Sequence, residues 1–333
     1  MSVLTGAVAV LVAIVWGLCF VVIQAALPSP APLLLAGLRA VIGGAALAGW
    51  MLLTRWRAPG RGSPGSSLRP GQRRSGLPPV SVLLVLALTN AAVALGAMYL
   101  AAGRAEASVA SILAGGQPVV LAVAGWALFG ERASSRTILG LVVAMAGVVL
   151  IATASSGATS PDGVALALLA TAAPAAGTIV MRRLGSGIDL LETTSVQFLL
   201  GGLMLLGISA LFEPWAAVIW SPAVVVGLLG LGVLGTGVAY VAWFWLLNRT
   251  SLARLGAALF LVPAVGVVAG ILTGDRPGLP ELIGIAALLF GIVLVSVASR
   301  REAAPASLVA ERVTPRLAAP RCRGGRPAAT RGH

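Results

Sequence analysis

Arg39 is the only arginine that falls inside a long apolar run, and its planar guanidinium is built to hold a carboxylate through two parallel hydrogen bonds. It lies about seven residues into its run, roughly 10 Å from the end at 1.5 Å per residue. A charge at the centre of a membrane helix costs around 2.5–3.5 kcal/mol on insertion scales. Two readings therefore stand side by side. Arg39 either anchors the carboxylate of a solute, or it snorkels outward and ties helices together through backbone carbonyls. Asn90 and Gln117 sit deeper in other runs. They are read as solute contacts, against the alternative of interhelical hydrogen bonds worth about 0.6 kcal/mol each. Gln24, nearer a run end, fits that alternative better. Trp16 is mid-run, and Tyr240, Trp243, Phe244 and Leu247 recur at helical spacing on one face. They form a wall for an apolar or aromatic solute or, for those near the run's end, an interfacial aromatic belt. Trp245 and the tryptophans near run ends belong to the belt.

The same inventory excludes most other chemistry. The only histidine is His333, the last residue, and the ten acids all lie at run ends, in connections or in the tail. No paired carboxylates, no nucleophile with its base and no His/Cys metal set can be placed in the apolar core. The sequence predicts no enzyme, no cofactor and no metal. An ion channel would need rings of charge or a carbonyl filter, and neither is readable. Glu106, just inside the fourth run, is the nearest candidate for proton coupling, so facilitated diffusion and proton-coupled antiport both stay open.

The elements that must position these residues are membrane helices. Hydrophobic residues make up 58% of 333 positions and charged residues 10%, against about 25% charged in soluble domains. Apolar runs of about 20 residues match a hydrocarbon core of roughly 30 Å, where the backbone must satisfy itself as helix. Ten spans are expected: 5–26, 33–54, 80–102, 107–129, 137–155, 162–181, 190–212, 222–247, 253–273 and 280–299. All 23 basic residues are arginine. The loop 55–79 holds six, and 20 fall on the side that contains both termini. Cytoplasmic loops carry this excess, so both termini are placed in the cytoplasm of a cell-membrane protein. The net charge of +13 thus reflects topology, and no nucleic-acid partner is expected. The partners are the bilayer and a small molecule. "MSVLTG" lacks a basic n-region, so the first run is read as a retained helix. Cys19 and Cys322 imply no disulfide, and the tail 300–333 is a basic, disordered cytoplasmic segment touching anionic lipid.

The chain also repeats itself. At an offset near 144–145, Arg104 meets Arg249, Pro118 meets Pro263, Gly130-Glu131-Arg132 meets Gly274-Asp275-Arg276, and Gly140 and Gly147 meet Gly284 and Gly291. Earlier, "LRAVIGG" (38–44) matches "VQFLLGG" (196–202) at offset 158, which pairs Arg39 with the uncharged Gln197. The halves are 1–155 and 161–299. Each holds five spans, an odd number, so the second copy starts on the opposite side and is inverted. Inverted repeats are the architecture of many secondary transporters, with the site at the midplane between the halves. Pro118, Pro174 and Pro263 interrupt spans and free carbonyls one turn back, as hinges or as static kinks. Gly266, Gly270 and Gly274 form GxxxG steps for close helix packing, within the fold or at a homodimer contact. Glu131 and Asp275 mark helix ends in water.

In this setting, "WG" at Trp16-Gly17, "LR" at Leu38-Arg39, the prolines of the fourth and ninth spans, the "GE" closing the fourth, "GTGVAYVAWFWLLNR" (235–249) and "FLVPAVGVVAGILTGD" (260–275) resemble the EamA-type transporters of the drug/metabolite transporter superfamily. The resemblance covers about residues 1–299. Gly274-Asp275 departs from the family's usual Gly-Glu and keeps the charge. The resemblance implies export of a small metabolite, such as an amino acid, or of a drug. A membrane protein with a purely structural or assembly role is the alternative.

Overall fold

The computed structural model describes residues 3–26, 29–57, 77–114, 116–117, 120, 123, 127, 135–154, 159–184, 188–247, 261–274, 276–280, 282–291, 293–294 and 297. Helix is the only regular structure among them. α1 (Val3–Gly17) and α2 (Cys19–Ala26) form one continuous span, because Leu18 N still bonds Ile14 O at 3.0 Å and Val22 N bonds Leu18 O at 2.9 Å. α3 is Pro32–Arg57. α4 (Val80–Leu86) and α5 (Ala94–Ala102) are joined through a π-helical segment, π1 (Ala87–Val93). α6 (Ala107–Ala114), α7 (Ser135–Ala154), α8 (Pro161–Leu184) and α9 (Leu190–Phe212) follow. α10 (Pro222–Leu229) and α11 (Ala239–Leu247) flank a second π-helical segment, π2 (Gly230–Val238). α12 (Leu261–Thr273) and α13 (Leu282–Gly291) complete the order.

Six of these helices are long and apolar enough to cross a membrane: Leu4–Ala25, Pro32–Thr54, Val80–Ala102, Pro161–Met181, Leu190–Phe212 and Pro222–Leu246. They match six of the ten expected spans. The other four fall partly outside the described residues, which contain α6, α7, α12 and α13 from them. Most of the loop 55–79, the tail 300–333, Pro118, Glu131, Arg132, Arg249, Arg254 and Asp275 also lie outside the described residues. The outward faces are strongly apolar, with Leu211, Phe212, Ile219 and Leu272 all exposed, as lipid-facing surfaces require.

Helix starts are written locally. Asp189 caps α9 by accepting from Leu191 N (3.1 Å) and Glu192 N (3.2 Å), and Ser221 caps α10 ahead of Pro222. The start of α3 is held from far away. The Glu213 carboxylate, at the end of α9, accepts from Leu33 N and Leu34 N, each at 2.8 Å. Ser209 donates to Glu213 in turn, and Trp215 Nε1 donates to Ser209 at 2.8 Å. A carboxylate on two orphan amides at a helix N-terminus contributes about 1 kcal/mol. Glu213→Gln should therefore lower the thermal midpoint in detergent, and Glu213→Ala should lower it further. An unchanged midpoint in both would mean that the cap stabilises nothing.

Close approach of backbones sets the packing of α3 and α9. A methyl placed on Gly44 would lie 2.8 Å from Leu199 Cγ and 3.0 Å from Ser195 O, and one placed on Gly202 would lie 2.8 Å from Val41 Cγ2 and 2.9 Å from Gly37 O. Each of these four contact positions in one half is the offset-158 counterpart of a position in the other. Gly43 abuts Thr236 and Gly232 of π2, whereas Gly201 abuts Ala91 and Ala87 of π1. Gly147 of α7 lies against Leu288 and Gly284 of α13, and Gly291 of α13 lies against Ala144 and Gly140 of α7.

The expected GxxxG run is used only in part. Gly266 packs against Ser111 and Gly17 inside the fold. Gly274 is instead the residue that ends α12, at φ 118° with nothing within 4 Å. It supplies the left-handed backbone of a helix terminus, not a packing face.

Candidate functional site

Arg39 is on α3, one and a half to two turns beyond the Glu213-capped start, and it is only 4% exposed. Its Nε donates to Thr236 Oγ1 of π2 (3.4 Å), one terminal nitrogen to Cys19 Sγ of α2 (3.4 Å) and the other to Met98 Sδ of α5 (3.7 Å). None of these acceptors carries a formal negative charge. A hydroxyl and two soft sulfurs are weak partners for a guanidinium, which is best matched by a carboxylate. Tyr99 lies beside Arg39, buried, and its hydroxyl has no hydrogen bond of good geometry among the described residues. The arrangement is a buried cation with an adjacent phenol, and the described residues use its hydrogen-bonding capacity only in part.

The π segments explain how α3 can come so close to its neighbours. Small residues, "ALTNAAV" in π1 and "GLGVLGTGV" in π2, let the helix widen by one residue while α3 and α9 press on it through Gly43 and Gly201. Thr236 is part of this geometry. Its Oγ1 donates to Leu231 O, five residues back, at 3.2 Å, while it accepts from Arg39. Single-turn π segments are rare and concentrate at functional sites.

Gly235 connects the cation to the aromatic side chains. Its Cβ position would be 3.6 Å from both an Arg39 terminal nitrogen and Cys19 Sγ, and its carbonyl accepts from Trp16 Nε1 at 3.2 Å. Trp16 stacks in a tilted manner on Tyr240 (5.8 Å between centroids) and on Trp243 (5.5 Å). Tyr240 in turn meets Phe198 edge-on (5.3 Å) and Phe244 (6.0 Å). Five expected site residues, Arg39, Trp16, Tyr240, Trp243 and Phe244, thus gather around one stretch of π2 and α11. These aromatic rings are buried or half-buried, unlike Trp50, Trp56, Trp215 and Trp220, which are exposed as a belt would be.

Asn90 forms a second polar spot. It is half-buried on π1, donates through Nδ2 to Gln197 Oε1 at 3.1 Å, and lies against Gly177 of α8. The two spots correspond position by position at offsets 158 and 145: Arg39 with Gln197, Cys19 with Gly177, Gly235 with Asn90, Thr236 with Ala91, Met98 with Trp243 and Tyr99 with Phe244. One spot carries the cation, thiol and phenol. The other carries two amides joined by one hydrogen bond.

The remaining expected residues are elsewhere. Glu106 is buried where α5 turns into α6, and its backbone N donates to Thr159 Oγ1 at 3.1 Å. It belongs to a rim cluster. There Arg104 pairs with Asp162 at 3.1 Å, and the Arg104 carbonyl accepts from Ser160 N and Oγ. Gln117 is half-buried, with most of its neighbours in that span outside the described residues. Pro174 lies within an unbroken α8, and Pro263 is buried in the first turn of α12. Sequence reading did not single out Tyr99, Met98 or Thr236. Only "GTG" at 235–237, small residues in an otherwise bulky run, hinted at the last.

The chain can now be compared with known proteins. The family model described as EamA-like transporter family matches it twice, over residues 4–153 and 162–297. It is 28% identical over 295 residues to the Uncharacterized transporter YvbV of Bacillus subtilis (strain 168), spanning 88% of this chain and 92% of that protein. It is 26% identical over 303 residues to Protein PecM of Dickeya dadantii (strain 3937), spanning 86% and 92%. It is 24% identical over 293 residues to the Uncharacterized inner membrane transporter YedA of Escherichia coli (strain K12), spanning 85% and 87%. A crystal structure titled only as that of a protein shares the fold at TM-score 0.57 and 19% identity, covering 93% of this chain and 98% of that one.

Proposed function

As a member of the EamA-like transporter family, in the drug/metabolite transporter superfamily, the chain is a multi-pass membrane transporter, and we propose that it exports a small amphipathic metabolite bearing a carboxylate, by alternating access, across the cell membrane. The observation that carries this reading is Arg39, a buried guanidinium bonded among the described residues to a hydroxyl and two sulfurs, next to a cluster of aromatic rings. A buried charge without an opposite partner is expensive. A solute carboxylate would supply the missing charge, and the Trp16–Tyr240–Trp243–Phe244 cluster would take its apolar body.

Ten spans in two inverted halves, with both termini in the cytoplasm, fit this mechanism. The reciprocal glycine contacts support the inversion, since the contacts of Gly43 and Gly44 on α3 recur at Gly201 and Gly202 on α9 with the halves exchanged. Near-equivalent halves allow two packings of similar energy, one open inward and one outward. Pro118, Pro174 and Pro263, together with π1 and π2, are where the helices would bend. Asn90 and Gln117 would contact the solute as it leaves Arg39. The name of the relative YedA places that protein in an inner membrane, which supports the same location here.

The test is uptake into proteoliposomes of labelled monocarboxylates, amino acids and cationic drugs, by the wild type and by Arg39→Ala. Saturable uptake of a carboxylate-bearing class, lost in the variant, is the expected result. Equal uptake by both proteins would remove Arg39 from the site.

A further inference from the structure

Resting on that assignment of the site, we infer that the solute is a monovalent anion with an apolar or aromatic body, and that each export turnover carries one net negative charge outward with no proton exchanged.

The first ground is the charge balance around Arg39. Its hydrogen-bond partners among the described residues are Thr236, Cys19 and Met98, and its neighbour Tyr99 brings a phenol. Such a set offers a positive charge and donors to an incoming anion. It offers no carboxylate to an ammonium group. A cation brought to about 4 Å from the guanidinium would meet a repulsion of the same size as the attraction an anion enjoys. A zwitterion would satisfy one end and strand the other. The mate spot offers that other end no opposite charge, because Asn90 and Gln197 are neutral amides joined by one hydrogen bond.

The second ground is the placement of acids. All ten lie at span ends, in connections or in the tail. Glu106, the nearest to a span interior, belongs to the rim with Thr159, Arg104 and Ser160. Proton relays in membranes are built from buried carboxylates and histidines; the ionised group at this site is an arginine, which does not titrate, and its described neighbours Cys19, Met98, Tyr99 and Thr236 include no carboxylate or histidine. An anion needs no such group. A membrane potential negative inside drives it outward, and 100 mV corresponds to about a 50-fold gradient, or about 2.3 kcal/mol.

The experiment uses one ring with three charges: labelled phenyllactate (anion), phenylalanine (zwitterion) and phenethylamine (cation), in proteoliposomes holding the full chain. Potassium diffusion potentials of either sign are set with valinomycin at equal pH, and a pH gradient is set separately at zero potential. The inference expects phenyllactate uptake to rise at least tenfold with the interior positive and to fall with it negative, with no response to the pH gradient. Phenethylamine should not move above empty liposomes. Arg39→Gln, which copies the residue at the mate position, should lose the phenyllactate flux, while Arg39→Lys should keep its potential dependence at a lower rate. Phenylalanine moving faster than phenyllactate through an Arg39-dependent route would overturn the anion inference and leave the transport site standing. So would phenyllactate flux that follows the pH gradient. Flux of none of the three above empty liposomes, in the wild type and both variants alike, would overturn the site itself.

Discussion

Replacing Arg39 with glutamine should cut transport at least tenfold while leaving the protein as stable as the wild type, or more so. The two effects have one cause. In the unloaded protein the guanidinium is buried with a hydroxyl and two sulfurs as acceptors. Holding it at membrane depth costs about 2.5–3.5 kcal/mol on insertion scales. Glutamine removes that cost and can still donate to Thr236. The same backbone environment already holds glutamine at position 197 in the other half, where it is 5% exposed. Transport depends on what the guanidinium does with a solute. A charge-assisted hydrogen bond is worth about 1.5–3 kcal/mol, which is a factor of roughly 10 to 150 in affinity. A residue that only held helices together would show the opposite pairing, with lower stability and little change in flux per folded protein. Thermal unfolding in detergent and initial uptake rates, measured on the same preparations, separate the two.

The second large effect is expected at Gly43 and Gly201. A methyl on Gly43 would stand 2.5 Å from Thr236 Cγ2, and one on Gly201 would meet Ala91 Cβ and stand 2.6 Å from Ala87 O. The atoms in the way belong to π1, π2 and side chains too short to move aside. Overpacking by one or two carbons costs about 1–3 kcal/mol. Leucine at either glycine needs α3 or α9 to move bodily away from its π segment, so the loss should exceed that range and the yield of folded protein should collapse. Gly49, with nothing within 4 Å of its Cβ position, is the control and should accept alanine or leucine with little change. The two collapses should be of similar size, because the two contacts are counterparts. Tolerance of leucine at one site and not at the other would break the correspondence between the halves. Size-exclusion profiles and thermal midpoints of the four variants report this directly.

Six of the ten spans and the pairing of the halves were legible in the sequence because both rest on features that repeat. Twenty-residue apolar runs follow from bilayer thickness, and "LRAVIGG" against "VQFLLGG" reveals the offset at which Gly44 and Gly202 later prove to exchange the same contacts. Arg39 was legible because a charge in an apolar run is conspicuous. Its surroundings were not. Cys19, Met98 and Tyr99 carry no comparable signal in the sequence. They become a site only through the angle at which α3 crosses α2, α5 and π2. The π segments were equally hidden, since small residues permit a widened helix without requiring one. They are set by the close approach of Gly43 and Gly201, a tertiary contact. Gly274 shows the reverse case within one chain. Its spacing from Gly270 fits a packing motif, yet its backbone at φ 118° makes it a helix terminus.

The central claim is that Arg39 lies on a path open to each side of the membrane in turn, and Cys19 is placed to report it. Its sulfur is 3.4 Å from the Arg39 guanidinium, it is 3% exposed, and removing Cys322 leaves it the only cysteine in the chain. A charged, membrane-impermeant thiosulfonate should label Cys19 in the Cys322→Ser protein from the outside of right-side-out vesicles and, in separate samples, from the outside of inverted ones. A transported solute should slow both reactions. Labelling from one side only, or from neither while the same protein carries solute, would contradict alternating access at Arg39.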